Sequence, residues 1–451
     1  MNFSRICFEV FKVSAREQYN KIFSLLEEHN EYFDRAIPLI ASENVTSPAV
    51  KEALLSDFGH RYAEGWPGER VYAGCKYIDQ VEIMADEMAK EIFDAEFVDV
   101  RPISGVVANL IMFTAFTDPG DRIIALSIPD GGHISHARKS IGGTAGAVHG
   151  LKVQYWEFDD EKYNIDVDKS VKKIRRLEKE DRHIDLMLFG GSLFLFPNPV
   201  NDLSEVAKEF GAKVAYDAAH VSGLIGAGFF QDPLREGADC MTMSTHKTLF
   251  GPQRGMIASF EEYEEDLKRA AFPGMLSNHH LNTLAGLAVA LCEFKEFGRA
   301  YSEQVIRNAK ALALALHERG FNVVGESQGF TESHQVIVDV VDTPLKNGWM
   351  VEEELEKAEI ILNRELLPYD LKQGRNFREP GGIRIGTSEL TRLGMKEGEM
   401  EEVAELMRRV VINVEDPRKV VKDVNAFRED WQTLHYCFQD RAEAYKYLKI
   451  H

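Results

Sequence analysis

The sequence predicts an α/β protein in which a large domain with a mostly parallel central sheet is followed by a smaller α+β domain. Short apolar runs alternate with helical patterns through the middle of the 451 residues, as is typical of βαβ units. From about Tyr301 the pattern changes to a long amphipathic helix and separate strand-like stretches. We expect an N-terminal segment over residues 1–60, a large domain over 61–300, and a small C-terminal domain over 301–451 that ends in a charged tail.

Five runs in the large domain have the apolar and β-branched content of strands: Arg122–Ile128, Lys152–Phe158, Ile184–Phe189, Lys213–Tyr216 and Gly255–Phe260. Some lack polar alternation, which is typical of strands covered on both faces. Between two of them, Asp202 and Glu205 have capping-box spacing, and Gly211 marks the end of a helix. Parallel sheets bind ligands beyond the carboxyl ends of their strands, so polar residues directly after strands are the candidates for a site.

The C-terminal third contains fewer clear signals. A helix ends at Gly320, and the strand-like stretches H-Q-V-I-V-D-V-V and G-I-R-I-G follow it. An acidic helix is predicted around Met400–Val411. From about Asp416 the chain is charged and aromatic with weak periodicity, and the pattern predicts no element there.

Composition limits the classes of partner. Acidic residues outnumber basic ones 73 to 53, which gives a net charge of −20 and disfavours nucleic acid or an anionic membrane as the main partner. The five cysteines, at positions 7, 75, 240, 292 and 437, show no C-x-x-C spacing, so they predict neither a disulfide framework nor a zinc motif. No apolar run approaches the ~20 residues of a membrane helix. We expect a soluble, cytoplasmic protein that acts on small molecules.

Polar residues follow four of the predicted strands. Ser104 and Gly105 open a helix, where backbone N–H groups and a hydroxyl can bind an anion, although an isolated serine there is more often only a cap. Paired glycines precede His133. His136 follows it, but no third ligand of matching context is present, and we expect no metal site.

The other two strand ends carry the remaining candidates. Asp217 and His220 lie in D-A-A-H, and Ser244, His246 and Lys247 lie in S-T-H-K. Each residue alone has a structural explanation, such as a turn aspartate. Together with the anion site and the flat His133 ring, they match what pyridoxal phosphate requires. Its aldehyde needs a lysine for a Schiff base, because arginine cannot deprotonate to form one, and its ring nitrogen needs a carboxylate. Lys247 is the predicted Schiff-base residue.

At this point the sequence resembles the serine hydroxymethyltransferase family. The similarity is carried, in order from about residue 20 to 413, by P-L-I-A-S-E-N-V-T-S, H-R-Y-A-E-G-W-P-G-E-R, G-G-H, D-A-A-H, T-H-K-T and G-I-R-I-G-T. S-G-V-V-A-N, G-G-S-L-F-L-F-P and L-S-N-H-H-L are most similar to archaeal members. The resemblance implies the pyridoxal-phosphate-dependent transferase fold type I.

The resemblance also implies roles for individual residues. Lys247 would hold the cofactor, Asp217 would pair with the ring nitrogen, and His133 would stack on the ring. The other implied cofactor contacts are Ser192 and His220 near the ring hydroxyl, and Ser104, Gly105, Ser244 and His246 around the phosphate. Arg384, helped by Ser42, would bind the substrate carboxylate in a bidentate pair. Tyr62, Glu64 and Tyr72 would come from a partner subunit, with Tyr62 near the cofactor and Glu64 handling protons near the serine hydroxyl.

The implied activity is reversible transfer of the serine hydroxymethyl carbon to a reduced pterin, which leaves glycine. The carrier is tetrahydrofolate or tetrahydromethanopterin, and the minimal active unit is a homodimer that can pair into a tetramer. One alternative is an aldolase or transaldolase for threonine or another β-hydroxy amino acid, which would use the same lysine, aspartate and arginine. Another is a catalytically silent binding protein, which predicts loss of the lysine or of the residues around the cofactor ring; the sequence retains both.

Five positions depart from the pattern common in bacterial members. Val106 replaces a serine, Val71 replaces one of two adjacent tyrosines, and Leu276–His279 replaces Q-G-G-P. These three are shared with archaeal relatives and leave the carrier open. Arg254 replaces a glycine, and Glu365 replaces an asparagine expected to contact the pterin. Both departures weaken the expectation that the chain binds a pterin as the bacterial members do.

Overall fold

The computed structural model describes residues 14–450. These residues form a seven-stranded sheet, a four-stranded sheet and the helices that cover them. Within residues 14–450 the α-helices are α1 (Ala15–Arg35), α2 (Pro48–Leu54), α3 (Lys76–Phe93), α4 (Gly105–Phe116), α5 (Thr144–Ala147), α6 (Val167–Lys179), α7 (Val200–Phe210), α8 (Ser222–Gly226), α9 (Glu264–Arg269), α10 (Leu281–Glu318), α11 (Gly348–Lys357), α12 (Ser388–Arg392), α13 (Glu397–Val411) and α14 (Pro417–Glu429).

The strands of the same region are β1 (Ile37–Pro38), β2 (Gly65–Trp66), β3 (Glu69–Arg70), β4 (Phe97–Asp99), β5 (Arg122–Ala125), β6 (Lys152–Tyr155), β7 (Phe158–Asp159), β8 (Asn164–Ile165), β9 (Leu186–Gly190), β10 (Lys213–Asp217), β11 (Cys240–Ser244), β12 (Gly255–Ser259), β13 (Asn322–Val323), β14 (Gln335–Asp339), β15 (Ile360–Ile361), β16 (Asn363–Glu365), β17 (Gly382–Gly386), β18 (Thr433–Leu434) and β19 (Ala442–Glu443).

The large sheet has the order β4-β12-β11-β10-β9-β5-β6, and only β12 runs antiparallel to its neighbours. Apart from Lys213 at the start of β10, its central strands are buried, because separate apolar clusters cover the two faces of the sheet. The prediction of a mostly parallel central sheet is therefore confirmed. All five predicted strands exist, although β5 and β6 end about three residues earlier than expected.

The small sheet, β13-β14-β17-β16, is antiparallel throughout. The 38-residue helix α10 joins it to the large sheet. Leu287 and Leu291 of this helix pack in the core of the large sheet, and Leu312 and Leu316 pack in the core of the small one. The helix begins about twenty residues before Tyr301, where the sequence pattern predicted the change from the large to the small domain. The domain boundary at residue 300 stays a prediction, and it lies inside this helix.

Two local predictions need correction. Asp202 and Glu205 do not form a capping box, because α7 already begins at Val200, with Pro199 at its N-cap position and no side-chain cap. The stretch after Asp416, for which the pattern predicted no element, contains α14. Asp416 accepts a hydrogen bond from Arg418 N, and Pro417 occupies the first turn, which is a common start for a helix.

No helix within residues 14–450 is both long enough and apolar enough to cross a membrane.

Candidate active site

The predicted strand-end residues meet in one cavity of about 390 Å³ at the carboxyl edge of the large sheet. The sheet explains why they meet: Asp217 ends β10, Ser244 ends the adjacent strand β11, and Lys247 follows three residues later. The residues that line the cavity are Ser42, Glu43, Ser104, Gly105, Val106, Asn109, His133, Gly191, Ser192, Asp217, Ala219, His220, Ser244, His246, Lys247, Gln253 and Arg384.

Lys247 is the only lysine among the lining residues of this cavity. Its Nζ donates a hydrogen bond to Ser244 Oγ at 2.9 Å, and its backbone carbonyl accepts one from Asn44 Nδ2 at 2.8 Å. Burial lowers the pKa of Lys247, the charge of Asp217 raises it, and the charge of Arg384 lowers it, for a net value of about 8. At pH 7 about a tenth of this side chain is therefore a free amine, the nucleophilic form, which is far more than for a lysine with an ordinary pKa.

Asp217 is 3% exposed and is surrounded by hydrogen-bond donors. Its Oδ2 accepts hydrogen bonds from His136 Nε2 and Asn109 Nδ2, both at 2.8 Å, and its Oδ1 accepts one from Ala219 N at 2.9 Å. Burial alone raises the pKa of this carboxyl, but the donors, led by His136, lower it to about 2. Asp217 is therefore an anion at neutral pH despite its burial.

His136 and Asn109 are functional candidates that the sequence did not single out for this role. His136 was weighed only as a metal ligand beside His133. Its Nδ1 is buried without a hydrogen-bond partner, so the ring proton belongs on Nε2, which donates to Asp217. Asn109 is oriented by Thr242, whose Oγ1 donates to Asn109 Oδ1 at 2.6 Å. Among residues 14–450 no group of three or more His, Cys, Asp or Glu side chains is arranged to hold a metal ion.

Two more histidines present flat, neutral rings. Burial lowers the pKa of His133 to about 4, and a short contact to Ser135 Oγ at 2.7 Å fixes its Nδ1. Burial lowers the pKa of His220 well below its usual value. Because Gln335 donates to His220 Nδ1 at 2.9 Å, the proton of that ring is on Nε2. His220 can therefore donate one hydrogen bond from Nε2.

The N-terminus of α4 forms one end of the cavity. Ser104 is the N-cap, and its Oγ accepts a hydrogen bond from Val107 N at 3.3 Å. The first N–H groups of a helix have no intrahelical acceptor and attract anions. A Cβ at Gly105 would lie 2.7 Å from Ser244 Oγ, so glycine is needed for this close approach. The Nδ1 of His246 is buried nearby without a hydrogen-bond partner.

Arg384 of β17 closes the opposite side of the cavity. Its Nη1 donates to Ser192 O at 2.9 Å, and its Nε donates to Asn363 Oδ1 at 3.3 Å. Its Nε also lies 3.5 Å from Glu365 Oε2. Nη2 has no hydrogen-bond acceptor among the described residues, and a planar guanidinium with a free edge suits a carboxylate. Ser42 lines the same cavity.

Tyr62, Glu64 and Tyr72 are not among the residues that line this cavity. Tyr62 and Tyr72 are about half exposed, and their ring centroids are 4.9 Å apart. Glu64 directly precedes the hairpin of β2 and β3, and its carbonyl accepts a hydrogen bond from Val71 N at 3.0 Å. The three residues form one surface group outside the cavity of their own chain.

A second, larger cavity of about 960 Å³ shares a wall with the first. His133, Ser192 and Arg384 line both cavities, whereas Glu365 lines only the larger one. The larger cavity also contains apolar side chains, such as Ile134 and Phe377. A molecule in the larger cavity would therefore lie beside His133, Ser192 and Arg384, which also face the smaller cavity.

Comparison with known proteins agrees with this geometry. The profile of the serine hydroxymethyltransferase family matches residues 15–407. A serine hydroxymethyltransferase of Nitrosopumilus maritimus is 56% identical over 97% of this chain and 99% of its own length. Those of Methanocaldococcus jannaschii and Pyrococcus abyssi are 54% and 52% identical, each over 94% of this chain and over 96% and 98% of their own lengths. These matches confirm the predicted pyridoxal-phosphate-dependent fold type I and the predicted one-carbon transferase activity, so the chain belongs to the serine hydroxymethyltransferase family.

Proposed function

We propose that the 390 Å³ cavity binds pyridoxal phosphate together with serine or glycine, and that the 960 Å³ cavity admits the reduced pterin that exchanges the hydroxymethyl carbon. One observation supports this proposal most directly: an amine, a carboxylate, a guanidinium and a helix N-terminus line the same cavity. The amine belongs to Lys247, the carboxylate to Asp217 and the guanidinium to Arg384. No smaller subset of these groups serves all parts of the cofactor and its amino-acid substrate.

The residues present fit pyridoxal phosphate. Its phosphate suits the start of α4, where Gly105 leaves space that a Cβ would fill and where the unpartnered His246 Nδ1 is buried. Its protonated ring nitrogen suits Asp217, which remains anionic down to a pH of about 2. When bound, the cofactor supplies an aldehyde that reacts with amines and a ring that accepts the electron pair left as the hydroxymethyl carbon departs.

Four side chains of the cavity would each bind one charged group or carry one proton of the cofactor and the amino acid. Lys247 would hold the cofactor through its amine, and its pKa of about 8 would let the free amine take up or release a proton near neutral pH. Asp217 would accept the ring N–H and so keep the ring cationic. His220 would donate its Nε2–H to the ring oxygen. Arg384 would bind the amino-acid carboxylate through its free Nη edge and thereby orient the serine side chain.

We also propose that the active unit is a homodimer in which Tyr62, Glu64 and Tyr72 complete the partner's site. An apolar groove of about 330 Å³ between α2, α3 and α10 supports a paired surface, and Met84 and Val289 are among the residues that line it. Val71 and Tyr77 are further exposed apolar side chains, and Tyr77 lies on α3 as well. Exposed apolar grooves are typical of subunit interfaces.

Glu64 is the proposed proton carrier at the serine hydroxyl. A carboxylate within reach of that hydroxyl can remove its proton as the carbon–carbon bond breaks and return it in the reverse direction. The structure fixes the backbone beside Glu64 closely. Ala63 N donates to Asn278 Oδ1 at 3.0 Å, and Ala63 O accepts from Arg70 Nη1 at 2.8 Å.

The function is tested by following serine cleavage with the purified holoenzyme. We expect glycine formation from serine that depends on a reduced pterin, with tetrahydrofolate and tetrahydromethanopterin assayed separately. Cleavage at the same rate without either carrier would instead indicate an aldolase. Borohydride treatment followed by peptide mapping should label Lys247, and labelling of another lysine would contradict the assigned cofactor site.

The shared site is tested by complementation. Lys247→Ala and Glu64→Gln chains should each be inactive alone. If Glu64 acts in the partner's site, mixing the unfolded chains in equal amounts and refolding them should restore about a quarter of wild-type activity, because about half the dimers would be hybrids with one intact site. Absence of recovery would contradict the shared site. The cytoplasmic location stays a prediction.

A further inference from the structure

Glu365 faces the guanidinium that binds the substrate carboxylate in the proposed function. It ends β16, which pairs with β17 so that Asn363 lies opposite Arg384. Glu365 Oε2 is 3.5 Å from Arg384 Nε, and the two side chains are only 14% and 10% exposed. No other carboxylate among residues 14–450 forms an ion pair with Arg384. Arg384 therefore has one internal counter-anion.

The two anions of Arg384 would occupy different sides of it. Glu365 and Asn363 lie on the Nε side, and Ser192 O accepts from Nη1. The free Nη2 leaves an edge for an incoming carboxylate, so Glu365 does not block the substrate sterically. Its charge nevertheless cancels part of the positive potential that attracts the substrate.

We propose that Glu365 tunes the affinity of the site for amino acids: as an anion it weakens binding of the substrate carboxylate at Arg384, and it takes up a proton when that carboxylate binds. This inference rests on the proposed function, because it takes Arg384 as the carboxylate-binding group. It concerns a residue that departs from the asparagine expected at this position.

The surroundings of Glu365 favour proton uptake. Burial raises its pKa, the charge of Arg384 lowers it, and the net pKa is above the usual value of 4.5. A second carboxylate bound to Arg384 would place a like charge nearby and occupy the same guanidinium. Both effects raise the pKa of Glu365 further.

Other charged or titratable groups near Glu365 contribute little. Those that share its cavity are His133, Arg138, Tyr155, Glu352 and Arg364. Asp130, Tyr369 and Asp370 act together with Glu365 on the buried Tyr163, but the charge that shifts the pKa of Glu365 itself is that of Arg384. Glu352 and Arg364 neutralise each other in an ion pair of 2.8 Å. Arg138 Nε donates to Val153 O, and its guanidinium lies over the ring of Tyr155. Burial keeps His133 neutral by lowering its pKa and keeps Tyr163 neutral by raising its pKa. Arg384 therefore remains the main partner of Glu365.

The experiment compares glycine binding to wild-type, Glu365→Gln and Glu352→Gln holoenzymes by titration calorimetry from pH 5 to pH 8. Glu352→Gln is the matched control, since it removes a carboxylate of the same cavity that is paired with Arg364. At pH 8 we expect Glu365→Gln to bind glycine roughly threefold to tenfold more tightly than wild type. This advantage should shrink as the pH falls, because the pKa of Glu365 lies above its usual value and the wild-type side chain takes up a proton more readily than an ordinary glutamate. Repeating the titration in buffers of different ionisation enthalpy should show that wild type takes up more protons than Glu365→Gln.

Equal or weaker glycine binding by Glu365→Gln at pH 8, or an advantage that is the same at both pH values, would overturn the inference. So would an equal advantage in Glu352→Gln. Arg384→Ala separates this failure from failure of the proposed function: unchanged glycine binding in that variant would reject Arg384 as the carboxylate site. If Glu365→Gln does not fold, Glu365→Asn removes the same charge and is subject to the same expectations.

Discussion

The backbone around Glu64 depends on a buried ion pair, and replacing Glu82 by glutamine should test its strength. Glu82 lies on α3 with its side chain fully buried, and its Oε2 accepts from Arg70 Nη2 at 2.7 Å. Arg70 in turn donates to the carbonyls of Ala63 and Gly65, the two neighbours of Glu64. The variant keeps the shape of the side chain and removes its charge. Among the residues that the structure describes, it therefore leaves Asp79 as the remaining counter-ion of the Arg70 guanidinium.

The magnitude follows from the pKa of Glu82. Burial raises this pKa, but His279, Arg70 and Arg101 lower it from 4.5 to about 2. Since one pKa unit corresponds to about 1.4 kcal/mol, the charged form contributes about 3 kcal/mol to stability at neutral pH. Breaking one partner of a buried pair costs a similar ~3–5 kcal/mol. Because the folded pKa lies below the unfolded one, this contribution is fully present above pH 4.5 and is lost as the pH falls toward 2.

Urea unfolding followed by tryptophan fluorescence measures this change. At pH 7 we expect Glu82→Gln to lose about 2–4 kcal/mol of unfolding free energy, and the difference from wild type should narrow below pH 4. Glu87→Gln is the control on the same helix, because its pair with Lys90 is exposed and should contribute less than about 0.5 kcal/mol. A loss below about 1 kcal/mol in Glu82→Gln, or one equal to that of the control, would refute the reasoning.

Three further outcomes are expected at the cofactor site. His136→Ala removes a donor that lowers the pKa of Asp217, so pyridoxal phosphate should bind roughly tenfold more weakly in a fluorescence titration; unchanged affinity would contradict the role of His136. Gly105→Ala places a methyl group 2.7 Å from Ser244 Oγ, so the dissociation constants of pyridoxal phosphate and of inorganic phosphate should both rise; an effect on neither would place the phosphate elsewhere. Reconstitution of the apoprotein should accelerate as the pH rises through about 8, because the amine of Lys247 loses its proton there, and a flat rate profile would contradict this.

The sequence could predict the strand-end residues because the signal for them is local. An apolar run marks a buried strand, and the first polar residues after it lie at the carboxyl edge of the sheet. Asp217 and Lys247 were found in this way. The prediction that Ser104 opens a helix is likewise confirmed, since a serine before a helical pattern is a local signal too.

The partners of Asp217 could not be predicted from local pattern. Asn109 and His136 lie 108 and 81 residues before it along the chain, and they reach it only because α4 and the turn after β5 meet beside β10. The H-I-S-H spacing pointed only to a metal, for which no third ligand of matching context was present. The side chains that orient an aspartate are determined by how distant elements pack together. No periodic pattern in the sequence reports that packing.

Arg254 shows the same limit at a position that the sequence did single out. A side chain in place of glycine raised the question of where it could fit. The structure buries its guanidinium completely and gives it five short contacts: Val100 O, Arg101 O, His280 O, Thr283 Oγ1 and His279 Nδ1. His279 belongs to the stretch that replaces Q-G-G-P, so two departures from the common pattern contact each other. The contact with His279 is one of the five that hold Arg254, and sequence pattern alone gives no sign of it.

The chemistry of the site depends on burial having opposite results for two neighbouring groups. Asp217 is buried and Lys247 is half-buried, and burial by itself would favour the neutral form of both. For Lys247 burial prevails over the opposing charge of Asp217, and the charge of Arg384 lowers the pKa a little further, so the amine becomes available. For Asp217 the donors His136 and Asn109 reverse the effect, so the carboxylate remains charged. Burial therefore accounts for the less basic lysine, and the hydrogen-bond donors account for the more acidic aspartate.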